Sequence, residues 1–185
     1  TTIYVRVEED GLPDCYETTQ FDITVYPNPE VSDQSITACS ASTVGLTLAD
    51  DVDGPSVASY DLTSIAPEAG LAADASNAVL GTNLASDAIA SDVWTNTTAT
   101  PLDVVYSFTP VSSDNCTGAV FTVTVTINSN PEVSDQIATV CSASTVGLTL
   151  ADDVDGPSVA SYDLTSITPE AGLAADASNA VLGTN

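Results

Sequence analysis

FTVTVTIN, residues 121–128, puts Phe121, Val123, Val125 and Ile127 on one side of an extended chain and Thr122, Thr124 and Thr126 on the other. Successive side chains leave a pleated backbone in opposite directions, so a period of two marks a strand with one face buried. The alternation before it predicts a partner strand over Val104 to Val111. The Asp, Asn, Cys and Gly residues between the two suit a hairpin turn. The same pair occurs near the start of the chain, as Ile3 to Glu8 followed by Phe21, Ile23 and Val25.

Further back from the hairpin, Val44, Leu46 and Leu48 alternate with Gly45, Thr47 and Ala49. That pattern predicts a strand ending in the turn Asp50-Asp51-Val52-Asp53-Gly54-Pro55, with another strand from Val57 to Ile65 carrying Tyr60 and Leu62. Between 66 and 100 Ala, Ser and Asn dominate and the periodicity fades. Short strands are expected near Ala78 to Leu80 and Ile89 to Trp94, with Trp94 plugging the core between two sheets. With an opening strand at Val31 to Ala38, the unit holds about seven short strands and no helical period, which is an all-β, immunoglobulin-like seven-strand β-sandwich.

The unit is repeated. Val31 to Asn83 recurs as residues 133–185 at an offset of 102, with differences only at Ser35/Ile137, Ile36/Ala138, Ala38/Val140 and Ala66/Thr168. Self-similarity at a fixed long period marks a tandem array, and a period this long is the size of a domain that closes its own core. The expected organisation is the last strands of a preceding repeat in 1–28, a complete repeat in 29–130, and the first part of a near-identical repeat in 131–185. The chain reads as a window on a longer array. The junctions Tyr26-Pro27-Asn28-Pro29-Glu30 and Asn128-Ser129-Asn130-Pro131-Glu132 are prolyl linkers, whose fixed φ favours a stiff, extended path.

Charge narrows the function classes. Against 26 acidic residues there is one basic residue, Arg6, with no His, for a formal charge of −25. Such a chain repels nucleic acid and anionic membrane. Its patterned Val, Ile and Thr runs argue against a disordered acidic polymer, and no apolar run reaches the ~18 residues of a membrane-spanning helix. Without His or Lys, the usual triads, Schiff bases and phosphate clamps lack their parts. Paired carboxylates without an aromatic sugar platform make a poor glycosidase, so no enzyme is expected.

The acidic turns have two readings. In a seven-strand sandwich the turn after the second strand and the last hairpin loop lie at the end where the chain enters. That would gather Asp50, Asp51, Asp53, Asp114, Asn115, Glu30 and Asp33 at a junction, as hard oxygen donors for Ca²⁺. The spacing is not that of an EF-hand. Equally, these residues serve as solvated turn caps that keep a sheet protein soluble.

Each repeat carries one cysteine after its opening strand (Cys39, Cys141) and one in its last hairpin (Cys15, Cys116). Two per domain suggests disulfides and an oxidising compartment. The intradomain candidate is Cys39 with Cys116, although in the usual strand order these stand at opposite ends. A bridge between successive repeats and free thiols are the alternatives. Zinc spacings are absent. Asn96-Thr97-Thr98 and Asn115-Cys116-Thr117 match the glycosylation acceptor pattern.

The joint order of VSDQ (31–34), GLTLADDVDGPSVASY (45–60), DVWTNTT (92–98), DVVYSFTPVS (103–112) and FTVTVTIN (121–128) resembles the PKD-like, immunoglobulin-like repeats of giant secreted surface proteins of Bacteroidota. The opening TTIYVRVEED and CYETTQFDITVYPNP resemble a sister repeat subtype. The resemblance implies export by the type IX route to the cell surface, a role in adhesion, gliding motility or extracellular fibres, and no catalytic residues. The expected function is a stalk or fibre segment that extends a binding region from the cell, with neighbouring repeats as its partners. The rivals are a glycan- or protein-binding module and a fibre subunit that assembles with like chains by strand complementation.

Overall fold

The computed structural model describes residues 1–49, 54–150 and 156–175. Among them the regular structure is entirely β: β1 (Thr2–Glu9), β2 (Leu12–Asp22), β3 (Gln34–Cys39), β4 (Val57–Pro67), β5 (Leu71–Ala73), β6 (Gly81–Leu84), β7 (Trp94–Asn96), β8 (Leu102–Ser112) and β9 (Phe121–Asn128). β1 and β2 form a separate antiparallel hairpin that turns at Gly11, whose φ of 79° is readily reached only without a Cβ. The other seven strands belong to the complete repeat.

Its main sheet has the order β3-β9-β8-β4-β6. β3 runs parallel to β9, and the remaining pairs are antiparallel. The alternation read from residues 121–128 decides which face is buried. Phe121, Val123, Val125 and Ile127 turn inward with Val104, Tyr106 and Phe108 of β8, while the threonines remain half-exposed. Tyr60, Phe108 and Phe121 meet edge-on or stacked at centroid separations of 5.8–6.3 Å, the favoured range for ring pairs.

The layer opposite is less regular than expected. Val44 to Ala49 is not a strand: Gly45 has φ 69°, which breaks the extended run. Val44 and Leu48 are still buried, because Val44 N–H donates to Asp92 O, Gly45 N–H to Ala90 O and Leu48 N–H to Ser86 O. The strand expected at Ala78 to Leu80 starts instead at Gly81, leaving Val79 and Leu80 exposed. That expected over Ile89 to Trp94 is confined to Trp94–Asn96, because Ala88, Ala90 and Asp92 each donate to the carbonyl three residues back and coil the chain into turns. Ile89 is nevertheless fully buried. β5, paired with β7, has no period-two signal. β2 ends at Asp22, short of the alternation through Val25.

The core cluster and the partly buried side chains packed on it all lie between Val31 and Ile127. Residues 29–130 thus close a core without help from either flank. The second copy behaves differently. Tyr60 and Leu62 are 3% and 2% exposed, whereas Tyr162 and Leu164, in the same local sequence, are each 37% exposed and outside any strand. In the complete repeat β3 pairs with β9 and β4 with β8, and residues 133–185 contain no counterpart of β8 or β9.

Candidate functional site

The end of the sandwich where the chain enters is built around Pro29, which is fully buried. A Cβ on Gly118 would lie 2.0 Å from the Pro29 carbonyl oxygen, and one on Gly54 would lie 3.2 Å from the Asn28 carbonyl oxygen. Only glycine lets the hairpin loop approach the linker this closely at position 118. The seat recurs one repeat later, where a Cβ on Gly156 would be 3.2 Å from the Asn130 carbonyl oxygen. The linker is therefore packed into the domain it leads to.

Of the residues expected to gather at this junction, Asp33 and Asn115 each have a backbone partner of their own. Asp33 accepts the Thr122 N–H at 2.6 Å, extending the β3–β9 pairing by one side chain. Hydrogen bonds from Thr122, the backbone one foremost, hold its carboxyl below the ordinary range. Asn115 takes φ 59° in the β8–β9 turn and donates its N–H to Ser112 O. Asp114 neighbours it, and Glu30 follows the buried proline. Asp50, Asp51 and Asp53 lie outside the described residues. Among the described residues no three His, Cys, Asp or Glu side chains converge as a metal site.

The expected Cys39–Cys116 pair is not formed. Both are free thiols, as are Cys15 and Cys141. Cys39 is in register with Asn128 at one end of β9, while Cys116 precedes Phe121 at the other. The strand between spans about 23 Å, several times the Cα separation a disulfide tolerates. Each thiol instead neighbours a linker. The Ser40 N–H, next to Cys39, donates to Asn128 O at 2.8 Å, and Cys116 Sγ lies 4.0 Å from Tyr26 O.

Inside the sandwich is a polar relay that the sequence did not announce. Trp94 Nε1–H donates to the Tyr106 hydroxyl at 2.7 Å, and that hydroxyl donates to Asp92 Oδ2 at 2.8 Å. Asp92 Oδ1 accepts the Ala78 N–H, so a carboxylate only 1% exposed has both oxygens bonded. Burial pushes the Asp92 carboxyl up, against the pull of Ala78 and Tyr106. Burial and the bond to Asp92 push the Tyr106 phenol up as well. A perturbed buried acid is a functional-site signal when it faces a cleft. Here its partners are a core tyrosine, itself bonded to the core tryptophan, and a backbone amide, and it ties the two ends of the segment 77–93 to each other and to β8. Asn77 does the same by exchanging two hydrogen bonds with the Val93 backbone.

Asn96, the first glycosylation pattern, is buried. Its amide donates to Thr100 O and Ile127 O and accepts from Thr98, so the motif is a structural turn with no free amide nitrogen to modify. An open hollow beside it is lined by Ser40, Thr97, Thr98, Asn130 and Glu132, with hydroxyls and amides but no aromatic ring. Arg6, the only basic side chain, pairs with Glu8 at 2.8 Å and covers the Tyr16 ring at 4.0 Å.

No helix among the described residues is long and apolar enough to cross a membrane. Searches against curated proteins and against solved structures gave no match. A family model described as PKD-like domain matches residues 36–131, from within β3 to the outgoing linker. Domains of this kind are generally non-catalytic and typically extracellular. An all-β unit with its core inside the matched span and a parallel β3–β9 edge agrees with that match, and the chain belongs to the PKD-like domain family.

Proposed function

We propose that this chain is a segment of a passive, extended arm that carries a binding region away from a cell surface. The observation that carries the reading is the seat of the linker: Pro29 is buried against Gly118, and the approach of Gly54 to Asn28 recurs at Gly156 and Asn130. A linker packed into the following domain restricts swinging on that side, and proline fixes φ within it. A charge of −25 adds mutual repulsion between neighbouring units, which favours extension over collapse. Near-identical copies suit an object whose useful property is length.

On the resemblance to Bacteroidota surface repeats, the arm is exported by the type IX route and belongs to an adhesin, a gliding-motility protein or an extracellular fibre. The test is small-angle scattering on arrays of one, two and three copies of residues 29–130. A maximum dimension that grows in proportion to copy number supports a rod. Growth nearer the square root of copy number is the signature of loose beads, and would overturn the reading.

A second reading, a carbohydrate- or protein-binding module, draws on the polar hollow at Ser40, Thr97 and Asn130. Saturable binding of residues 29–130 on a glycan array, lost on Asn130→Ala, would favour it over the arm.

A further inference from the structure

We infer that successive repeats of the array are joined by a disulfide between Cys39 of one repeat and the counterpart of Cys116 in the next. The inference deepens the arm reading and depends on it only for the existence of a following repeat.

Within one repeat the two cysteines lie at opposite junctions. Cys116 Sγ lies 4.0 Å from the carbonyl oxygen of Tyr26, in the linker that leads into its own domain. Cys39 is in register with Asn128, in the linker that leads out, and its neighbour Ser40 donates to the Asn128 carbonyl oxygen. Tyr26 and Asn128 are the same position of the repeat. Each stands two residues before an Asn-Pro-Glu-Val-Ser-Asp-Gln segment, Asn28 to Gln34 and Asn130 to Gln136. The seat of that segment in the domain it enters is also the same: a Cβ on Gly54 would lie 3.2 Å from the Asn28 carbonyl oxygen, and one on Gly156 would lie 3.2 Å from that of Asn130.

Carrying the Cys116–Tyr26 contact forward by one repeat therefore brings the next repeat's cysteine to the carbonyl of Asn128, the residue that pairs with Cys39 in the β3–β9 register. Paired strands stand about 4.8 Å apart, so a thiol held at the Asn128 carbonyl lies beside Cys39, within the separation over which a disulfide closes. The pairing also accounts for the state of the present thiols. By position in the repeat, Cys39 and Cys141 would pair with a following repeat and Cys15 and Cys116 with a preceding one, so none has its complement within residues 1–185, and all four are free.

Closure is an oxidation. The two thiols give up two protons and two electrons and form one S–S bond, while a small disulfide such as oxidised glutathione passes through a mixed disulfide and leaves as two thiols. A secreted arm would meet such an oxidant on its way out of the cell.

The test uses a chain in which residues 29–130 are written twice in succession, a unit whose core needs no flanking residues. After incubation in a glutathione redox buffer and alkylation, peptide mapping should find first-copy Cys39 joined to second-copy Cys116. Cys39→Ser in the first copy should abolish the bridge, and in the second copy should leave it intact. The 185-residue chain in the same buffer should keep its four thiols within the monomer. A link inside one copy, or a Cys39–Cys116 bridge in the 185-residue chain, would overturn the inference. So would four free thiols in a tandem that still scatters as a rod, an outcome that leaves the arm reading standing. A bridged tandem that scatters as a flexible chain would uphold the disulfide and sink the arm.

Discussion

Tyr106 stands between Trp94 and Asp92 in the core, accepting from the indole nitrogen at 2.7 Å and donating to the carboxylate at 2.8 Å. Replacing it with Phe keeps the ring packing and strips a partner from two buried polar groups at once. Unsatisfied buried groups cost ~1–3 kcal/mol each, more when charged. Tyr106→Phe should therefore destabilise the repeat by about 2–4 kcal/mol. Urea unfolding followed by tryptophan emission measures this cleanly, because Trp94 is the single Trp and reports on the complete repeat. A loss under about 0.5 kcal/mol would mean the relay contributes nothing net.

Asp92 also sets a sign for the pH dependence. Burial raises its folded pKa above the ordinary 3.8, so the folded state holds the proton more tightly. Its contribution is full below the unfolded value and is lost as pH rises through the folded one. Asp33 and Asp74, both exposed and both lowered by hydrogen bonds from Thr122 and Ser76, have the opposite sign: their contribution is present above the ordinary value and lost as pH falls through the folded one. Asp92→Asn deletes only the first of these. The stability advantage of the native chain over the variant should shrink steadily as pH rises from about 4. A pH-independent difference would contradict the assignment.

Gly118 and Gly45 separate two reasons for being glycine. At Gly118 an added methyl meets the Pro29 carbonyl oxygen at 2.0 Å and Pro110 Cγ at 2.8 Å, so the linker must leave its seat. At Gly45 nothing lies within 4 Å, and only the φ of 69° is unfavourable. Gly118→Ala should cost about 3 kcal/mol, at the upper end for overpacking, and raise protease cleavage in the linker. Gly45→Ala should cost about 1 kcal/mol with cleavage unchanged. Equal cleavage of the two variants would show that the seat does not restrain the linker.

What could be read in the sequence followed from how each segment satisfies its backbone. β8 and β9 pair with each other and bury one face, so alternation in Val104 to Val111 and Phe121 to Ile127 carried both the strand and its orientation. Between 66 and 100 the backbone is satisfied by short turns and by side chains as much as by strand pairing. Asn77 exchanges bonds with Val93, Asp92 caps Ala78, and Asn96 serves Thr98, Thr100 and Ile127. Such side-chain pairing leaves no period of two. The trace it did leave was Asp92 and Asn96 flanking a tryptophan, polar types that enter a core only when fully bonded. The thiol positions were legible as a regularity, but their separation along β9 was not, since it depends on the parallel register of β3 with β9.

Calcium at the junction is the fourth expectation. Gly54, which follows Asp53 in the sequence, packs against the linker at Asn28 and Glu30, and Glu30 is one of the proposed donors. An ion bound only by the folded form raises stability by mass action. Millimolar Ca²⁺ should raise the midpoint of thermal unfolding by several degrees, chelator should reverse it, and Asp51→Asn with Asp53→Asn should remove the response. A midpoint indifferent to both additions would leave these residues as solvated turn caps.

The two copies of YDLTS make the strongest test of where strand formation resides. At 60–64 the segment lies in β4 and pairs with β8, while at 162–166 the identical residues are exposed and outside any strand. Local propensity is the same in both, so the difference comes from the partner strand that 133–185 lacks. Appending residues 84–130 after Asn185 supplies counterparts of β8 and β9 together with a second tryptophan. The extended chain should show two buried tryptophans, new slowly exchanging amides over 159–169, and a stronger β signal in the far ultraviolet. If those amides still exchange at the rate of an open chain, the copy differs from its twin for a reason other than the missing strands.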